Sequence, residues 1–143
     1  MFEKILVATD GSQEALKAVT AAAELASLKP EAKVTLLTVT PPVPSYVALQ
    51  LRENDLDPAA LQNQYAEEIL EGSCDPLKAR NISYTYQVAV GDPADEICRV
   101  AEAIGADLIV VGRRGLSGVR ELLAGSVSSK VVHHAPCSVL VTQ

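Results

Sequence analysis

Aromatic residues are scarce in this chain. They make up 3% of it, with no tryptophan and one phenylalanine, so the core must be built from Val, Leu, Ile and Ala, side chains that suit a parallel sheet covered on both faces. Cysteine is also sparse. Cys74, Cys98 and Cys137 form an odd set without a CxxC pair. That fits buried or free thiols in a reducing compartment better than a disulfide framework, so the expected location is cytoplasmic. Positive charge is in deficit, with 12 Lys and Arg against 18 Asp and Glu, a net charge of -6 and a pI of about 4.8. Such a field repels nucleic acid and anionic membranes, so neither is an expected partner and any phosphate site must be made locally. Apolar runs of about 18 residues, the length a membrane helix needs, are missing. The Met1-Phe2-Glu3-Lys4 start leads directly into Ile5-Leu6-Val7-Ala8, too short a lead for a secretory signal.

What is present is 143 residues with 48% hydrophobic content, enough for one domain with one core. Ile5 to Thr9 reads as a strand closed by Asp10-Gly11-Ser12. Ala15, Leu16, Val19, Ala22, Ala23, Leu25 and Ala26 then recur at helical spacing. Pro30 ends that helix, and Val34 to Val39 is a second strand stopping at Thr40-Pro41-Pro42. Thr40 to Leu56, with three prolines and no steady period, reads as a flexible loop. Asp57-Pro58 signals a helix start, with Leu61, Tyr65, Ile69 and Leu77 expected on its buried side and either a kink or a restart near Pro76. Ile82 to Val90 alternates as a third strand, and Gly91-Asp92-Pro93 opens a helix running to about Ile104. Ala106 to Val111 is an apolar strand ending at Gly112, a helix follows Gly125-Ser126, and Pro136 introduces a last strand, Ser138 to Thr142.

Five strands alternating with four helical segments predict an α/β, doubly wound, five-stranded parallel sheet with helices on both faces. The expected strand order is 3-2-1-4-5. In such sheets ligands bind beyond the carboxyl ends of the strands at the switch point, here between the first and fourth strands. Those two ends carry Asp10-Gly11-Ser12 and Gly112-Arg113-Arg114-Gly115. Nine residues after Gly115 stands Gly125-Ser126, where the chain re-enters a helix. Phosphate suits such a turn. Backbone N–H groups at Gly125, Ser126 and Val127, the helix dipole, and the hydroxyls of Ser126 and Ser128 all favour an anion. Arg113, Arg114 and Arg120 add positive charge or lie on a solvated face. The same glycines also fit a strand-ending turn followed by an ordinary helix cap, and glycine spacing alone does not separate the two readings. Asp10 likewise serves either as a turn residue or as a ligand contact.

The segment Gly112-RR-Gly115-LSGVRELLA-Gly125-Ser126, preceded by DLIVV and followed by VSSKVVHHAPCSVLV, resembles the nucleotide-binding members of the universal stress protein A family, with their G-2x-G-9x-G-(S/T) motif. The opening Ile5-Leu6-Val7-Ala8-Thr9-Asp10-Gly11-Ser12 resembles that family's first strand and turn, and the likeness runs from end to end. It implies that Gly112, Gly115, Gly125, Ser126, Val127 and Ser128 hold phosphates and ribose, with Ala8 and Thr9 beside the adenine. It further implies that Asp10 faces the phosphates or a nucleotide-bound Mg or Mn, that the Val39 backbone contacts adenine, and that the chain is a homodimer. Ser138 departs from the family, which commonly has Pro there.

Several chemistries lack their residues. No Gly-Lys-Ser/Thr occurs, so the lysine of a P-loop kinase or ATPase is missing. A receiver domain needs an acidic cluster where Asp10 stands alone, and a flavodoxin needs a longer hydroxyl-rich first loop. His133-His134 and Cys137 offer no second ligand pair for zinc, and Tyr84 with Tyr86 reads as packing. Three functions follow: a nucleotide-responsive binding module for ATP, or for ADP or AMP, that acts on an unidentified protein partner; a slow Mg-dependent ATPase; and a nucleotide-independent interaction protein. The apolar last strand, an exposed edge in the expected order, is the expected dimer contact.

Overall fold

Residues 1–113 and 126–143 are described by the computed structural model. The described elements are β1 (Lys4–Ala8), α1 (Gln13–Ala26), β2 (Lys33–Thr40), α2 (Ser45–Glu53), α3 (Pro58–Ser73), α4 (Asp75–Ala79), β3 (Ser83–Val90), α5 (Pro93–Ile104), β4 (Leu108–Gly112), α6 (Ser126–His134) and β5 (Ser138–Thr142). The five strands form one sheet in the order β3-β2-β1-β4-β5, every pairing parallel. This is the α/β topology that the alternation of apolar runs predicts. Register places Leu6 between Thr35 and Ile109, and Val110 beside Leu140.

Alternation along each strand divides the core into two layers. Ile5, Val7, Leu36 and Val110 point to one face, where Ala18, Val19, Ala22 and Ala23 of α1, Leu70 of α3 and Leu77 of α4 cover them. Leu6, Ala8, Leu37, Ile109 and Val111 point to the other, under Ile97, Val100 and Ala101 of α5 and Val131 of α6. Bulk comes from the strands, while the alanine stripe of α1 lets its backbone lie close to the sheet. The central strands are buried on both faces, which explains their unbroken apolar sequence.

The helix starts follow the predicted chemistry. Asp57 accepts a hydrogen bond from Ala59 N–H with Pro58 in the first turn, and Asp92 does the same for Asp95 N–H with Pro93. Gly105 closes α5 in the left-handed conformation, φ 66°.

Three expectations are corrected. Thr40 to Leu56 is not a continuous loop, because α2 occupies Ser45–Glu53. None of its residues is fully buried, so it carried no strong apolar period, and the flanking prolines concealed it. Of the two readings at Pro76 the restart holds: α3 ends at Ser73, and Pro76 sits in the first turn of α4, where its missing N–H costs nothing. The described helices therefore number six rather than four. Leu61 and Tyr65 were expected on the buried side of α3, yet both are exposed, while Ala66 and Leu70 make its buried stripe. Among the described residues no helix is long and apolar enough to cross a membrane.

Candidate functional site

Because all five strands are parallel, their carboxyl ends share one side of the sheet, and the crossover helices return with their amino ends on that same side. The residues singled out from sequence therefore converge there by topology. Ala8 ends β1 and is buried. Thr9 follows, fully buried, donating its N–H to the Leu37 carbonyl at 2.8 Å. Its Oγ1 lies 2.9 Å from Ser73 Oγ and accepts the Gly11 N–H at 3.1 Å. Thr9 thus joins the β1 turn to the end of α3, an internal role for a residue expected beside adenine.

Asp10 is half-buried. Its Oδ1 accepts the Ser12 N–H at 2.9 Å, closing a turn that places Gly11 at φ 82°. Ser12 then caps α1, its Oγ accepting the Ala15 N–H at 3.1 Å. The turn-forming role of Asp10 is therefore real and occupies one carboxylate oxygen. Oδ2 takes no hydrogen bond among the described residues, so one oxygen is left for other chemistry.

Across the switch point, Gly112 ends β4 and is buried, paired with Thr142. Arg113 is exposed, and its N–H donates to the Thr142 carbonyl at 2.8 Å. Arg114, Gly115 and Gly125 lie outside the described residues. Ser126 is the first residue of α6; Val127 is half-buried against the α5 side of the core, and Ser128 is buried at 5% exposure. Val39, next to last in β2, packs half-buried on that same layer. The ends of β1, β2 and β4 and the start of α6 therefore lie on the same side of the sheet.

Features invisible in the sequence surround this region. Lys130 of α6 reaches α5, with Nζ 3.1 Å from Asp92 Oδ2 and 3.0 Å from Asp95 Oδ1. The Asp95 N–H, then the Lys130 ammonium, hold the Asp92 carboxyl below its ordinary range, while Asp95 and Asp92 hold Lys130 above its own. Thr40 Oγ1, at the end of β2, and Thr142 Oγ1, at the end of β5, are buried without a hydrogen-bond partner. Such groups are uncommon, since a lost hydrogen bond inside a protein costs about 1–3 kcal/mol. A hollow of about 540 Å³ lies beside the switch point, between α1 and the end of β5, lined by Leu16, Lys17, Thr20 and Thr142 among others.

The remaining candidates for chemistry lie elsewhere. The three cysteines are free, and burial pushes the thiols of Cys98 and Cys137 up, which makes them poor nucleophiles at neutral pH. His133 and His134 are exposed at the end of α6, and no group of three His, Cys, Asp or Glu residues among the described residues is arranged to hold a metal. Tyr84 and Tyr86 pack together with ring centroids 5.7 Å apart.

Comparison with known proteins gives the same reading of the fold. The model of the universal stress protein family matches residues 1–143. Universal stress protein YxiE of Bacillus subtilis is 36% identical over 153 aligned positions that cover both chains completely. Among solved structures, MJ0577, whose biochemical function was assigned from its structure, superposes with a TM-score of 0.77 at 30% identity, covering 99% of this chain and 96% of that one. A universal stress protein in complex with cAMP superposes at 0.70, also with 30% identity and coverage of 99% and 96%. The match along the whole chain, joined to the strand order, makes this protein a member of the universal stress protein family.

Proposed function

We propose that the chain is a nucleotide-responsive module that binds an adenine nucleotide, ATP by preference, at the switch point between β1 and β4. The observation that carries the reading is the strand order, which brings the turn after β1 with Asp10, the end of β4 with Gly112 and the amino end of α6 to the same side of the sheet. A relative of 30% identity crystallised with cAMP supports adenine as the base. Phosphates lie against Gly112, Arg113, Arg114, Gly115, Gly125 and Ser126 to Ser128, where backbone N–H groups and the α6 dipole offset the acidity of the chain. Ala8 and Val39 border the base. The open Oδ2 of Asp10 suits a Mg or Mn ion carried by the phosphates, which neutralises their charge.

The working unit in this reading is a cytoplasmic homodimer joined through β5. That strand is an edge of the sheet, and Val139, Leu140 and Val141 in it are only half-buried. A dimer mass in light scattering is the expected result, and a monomer at working concentration removes this part. Occupancy changes the affinity of a protein partner by favouring one conformation of the loop.

Titration calorimetry of nucleotide-stripped protein with ATP, ADP and AMP, with and without magnesium, tests the reading. Micromolar or tighter ATP binding is expected. No heat and no thermal shift with any nucleotide would reject it and leave the glycines as structural turns.

A further inference from the structure

The ion pairs of Lys130 join two helices at the side of the molecule where the strands end. Lys130 is the fifth residue of α6, so its Cα lies about 6 Å along the helix from Ser126. Its ammonium touches Asp92 and Asp95 at 3.1 and 3.0 Å, and these two carboxylates belong to the cap and first turn of α5. The cap is itself anchored. Gly91 N–H donates to the Thr40 carbonyl at 3.0 Å, and Asp92 Oδ2 accepts the Asp95 N–H at 3.1 Å. A chain of named contacts thus runs from the end of β2, next to Val39, through the Gly91-Asp92 turn to Lys130 and α6. The packing of Val131 and Val127 on the α5 side of the core fixes the depth of α6 but is non-directional, whereas the two carboxylates fix its position along α5.

We infer that Lys130 is a positioning residue for nucleotide phosphate, holding the amino end of α6 at a set distance from the end of β2 through Asp92 and Asp95. The inference rests on the nucleotide reading above and adds a determinant that the glycine motif does not contain. Lys130 does not touch the ligand in this account. Its ammonium is already spent on two carboxylates, and its effect reaches the phosphates through the placement of helix N–H groups. Adenosine, which has no phosphate, is therefore insensitive to it.

The test is calorimetric affinity for ATP and for adenosine in wild type, Lys130→Met, Lys130→Arg and the double variant Asp92→Asn with Asp95→Asn, each first shown to be folded by circular dichroism. Ion pairs this exposed are weak, so Lys130→Met is expected to lower ATP affinity about three- to tenfold, leave adenosine unchanged, and be largely rescued by Lys130→Arg. The double variant separates positioning from simple charge. Freed from its carboxylates, Lys130 would strengthen ATP binding if its charge acted directly on phosphate, whereas loss of positioning weakens it. It also serves as the test if Lys130→Met does not fold. Unchanged ATP affinity in Lys130→Met, equal losses for ATP and adenosine, or tighter ATP binding in the double variant overturns the inference while leaving the nucleotide reading intact. A wild type that binds neither ligand overturns both.

Discussion

The two ends of the sheet are built differently. At the amino ends of the strands, polar backbone is closed off by the protein itself. Asp107 accepts the N–H groups of Glu3 and Lys4 at 2.9 and 3.2 Å, its own N–H returns to the Lys4 carbonyl, and Gly105 seals α5. At the carboxyl ends, Thr40 and Thr142 keep buried hydroxyls unpaired among the described residues, Gly11 takes a positive φ, and Asp10 leaves one oxygen without a hydrogen bond among those same residues. Among the described residues, one end pairs these polar groups while the other holds unused donors and acceptors, although both belong to the same strands and share one core. Ligand chemistry belongs where polar capacity is left over, and the contrast makes separable predictions.

The largest effect expected is on the shared core. Ile109→Ala, at a fully buried site in β4, should lower unfolding stability by about 2–5 kcal/mol in urea titration, since it leaves a cavity under α5 and α6. Next comes Gly125→Val at the carboxyl end. A branched side chain where phosphate is proposed to sit should reduce ATP affinity at least about tenfold while the protein stays folded. Unchanged affinity would contradict the loop assignment. Asp107→Ala at the opposite end reverses the pattern. It removes two solvent-exposed hydrogen bonds and should cost about 1 kcal/mol of stability with ATP affinity unaltered. If it weakens binding as strongly as Gly125→Val, the two ends are not independent.

The smallest effect is on pH dependence. Asp92 has its carboxyl depressed below the usual value of 3.8, mainly by the Asp95 N–H and then by Lys130. A depressed carboxyl contributes stability that is complete above its unfolded value and is lost as pH falls through the folded one. The stability difference between wild type and Asp92→Asn should therefore be constant from about pH 7 to 5 and shrink towards about pH 2. A difference that persists at the acid end assigns the effect to something other than the Asp92 charge.

Most of the sheet was legible because each strand is a short apolar run set between turn residues. Strand order followed from right-handed crossovers, and β5 matches its predicted bounds residue for residue. Caps written as Asp-Pro were equally plain at Asp57 and Asp92. Local pattern failed where an element lacks a buried face, as in α2, or where a polar group makes its partner far along the chain. Thr9 with Ser73, 64 residues apart, and Lys130 with Asp92, 38 apart, are pairs that only the assembled fold brings together. The glycine motif was readable since its spacing is itself the signal, whereas the unpaired Thr40 and Thr142 hydroxyls have no counterpart in sequence.

In the proposed nucleotide reading, the turn at Asp10 also bears on which cation the phosphates can bring. One carboxylate oxygen accepts the Ser12 N–H and closes the turn that leads into α1, so an ion that grips both oxygens competes with that hydrogen bond for the same oxygen. An ion content with one oxygen leaves it intact. Magnesium, which is small, keeps much of its water and is bound through few carboxylates, suits that condition better than calcium, which takes carboxylates through one oxygen or both. If the proposed nucleotide brings a metal to Asp10, the turn before the first helix would bias which ion it is, through a hydrogen bond whose ordinary task is to close a turn.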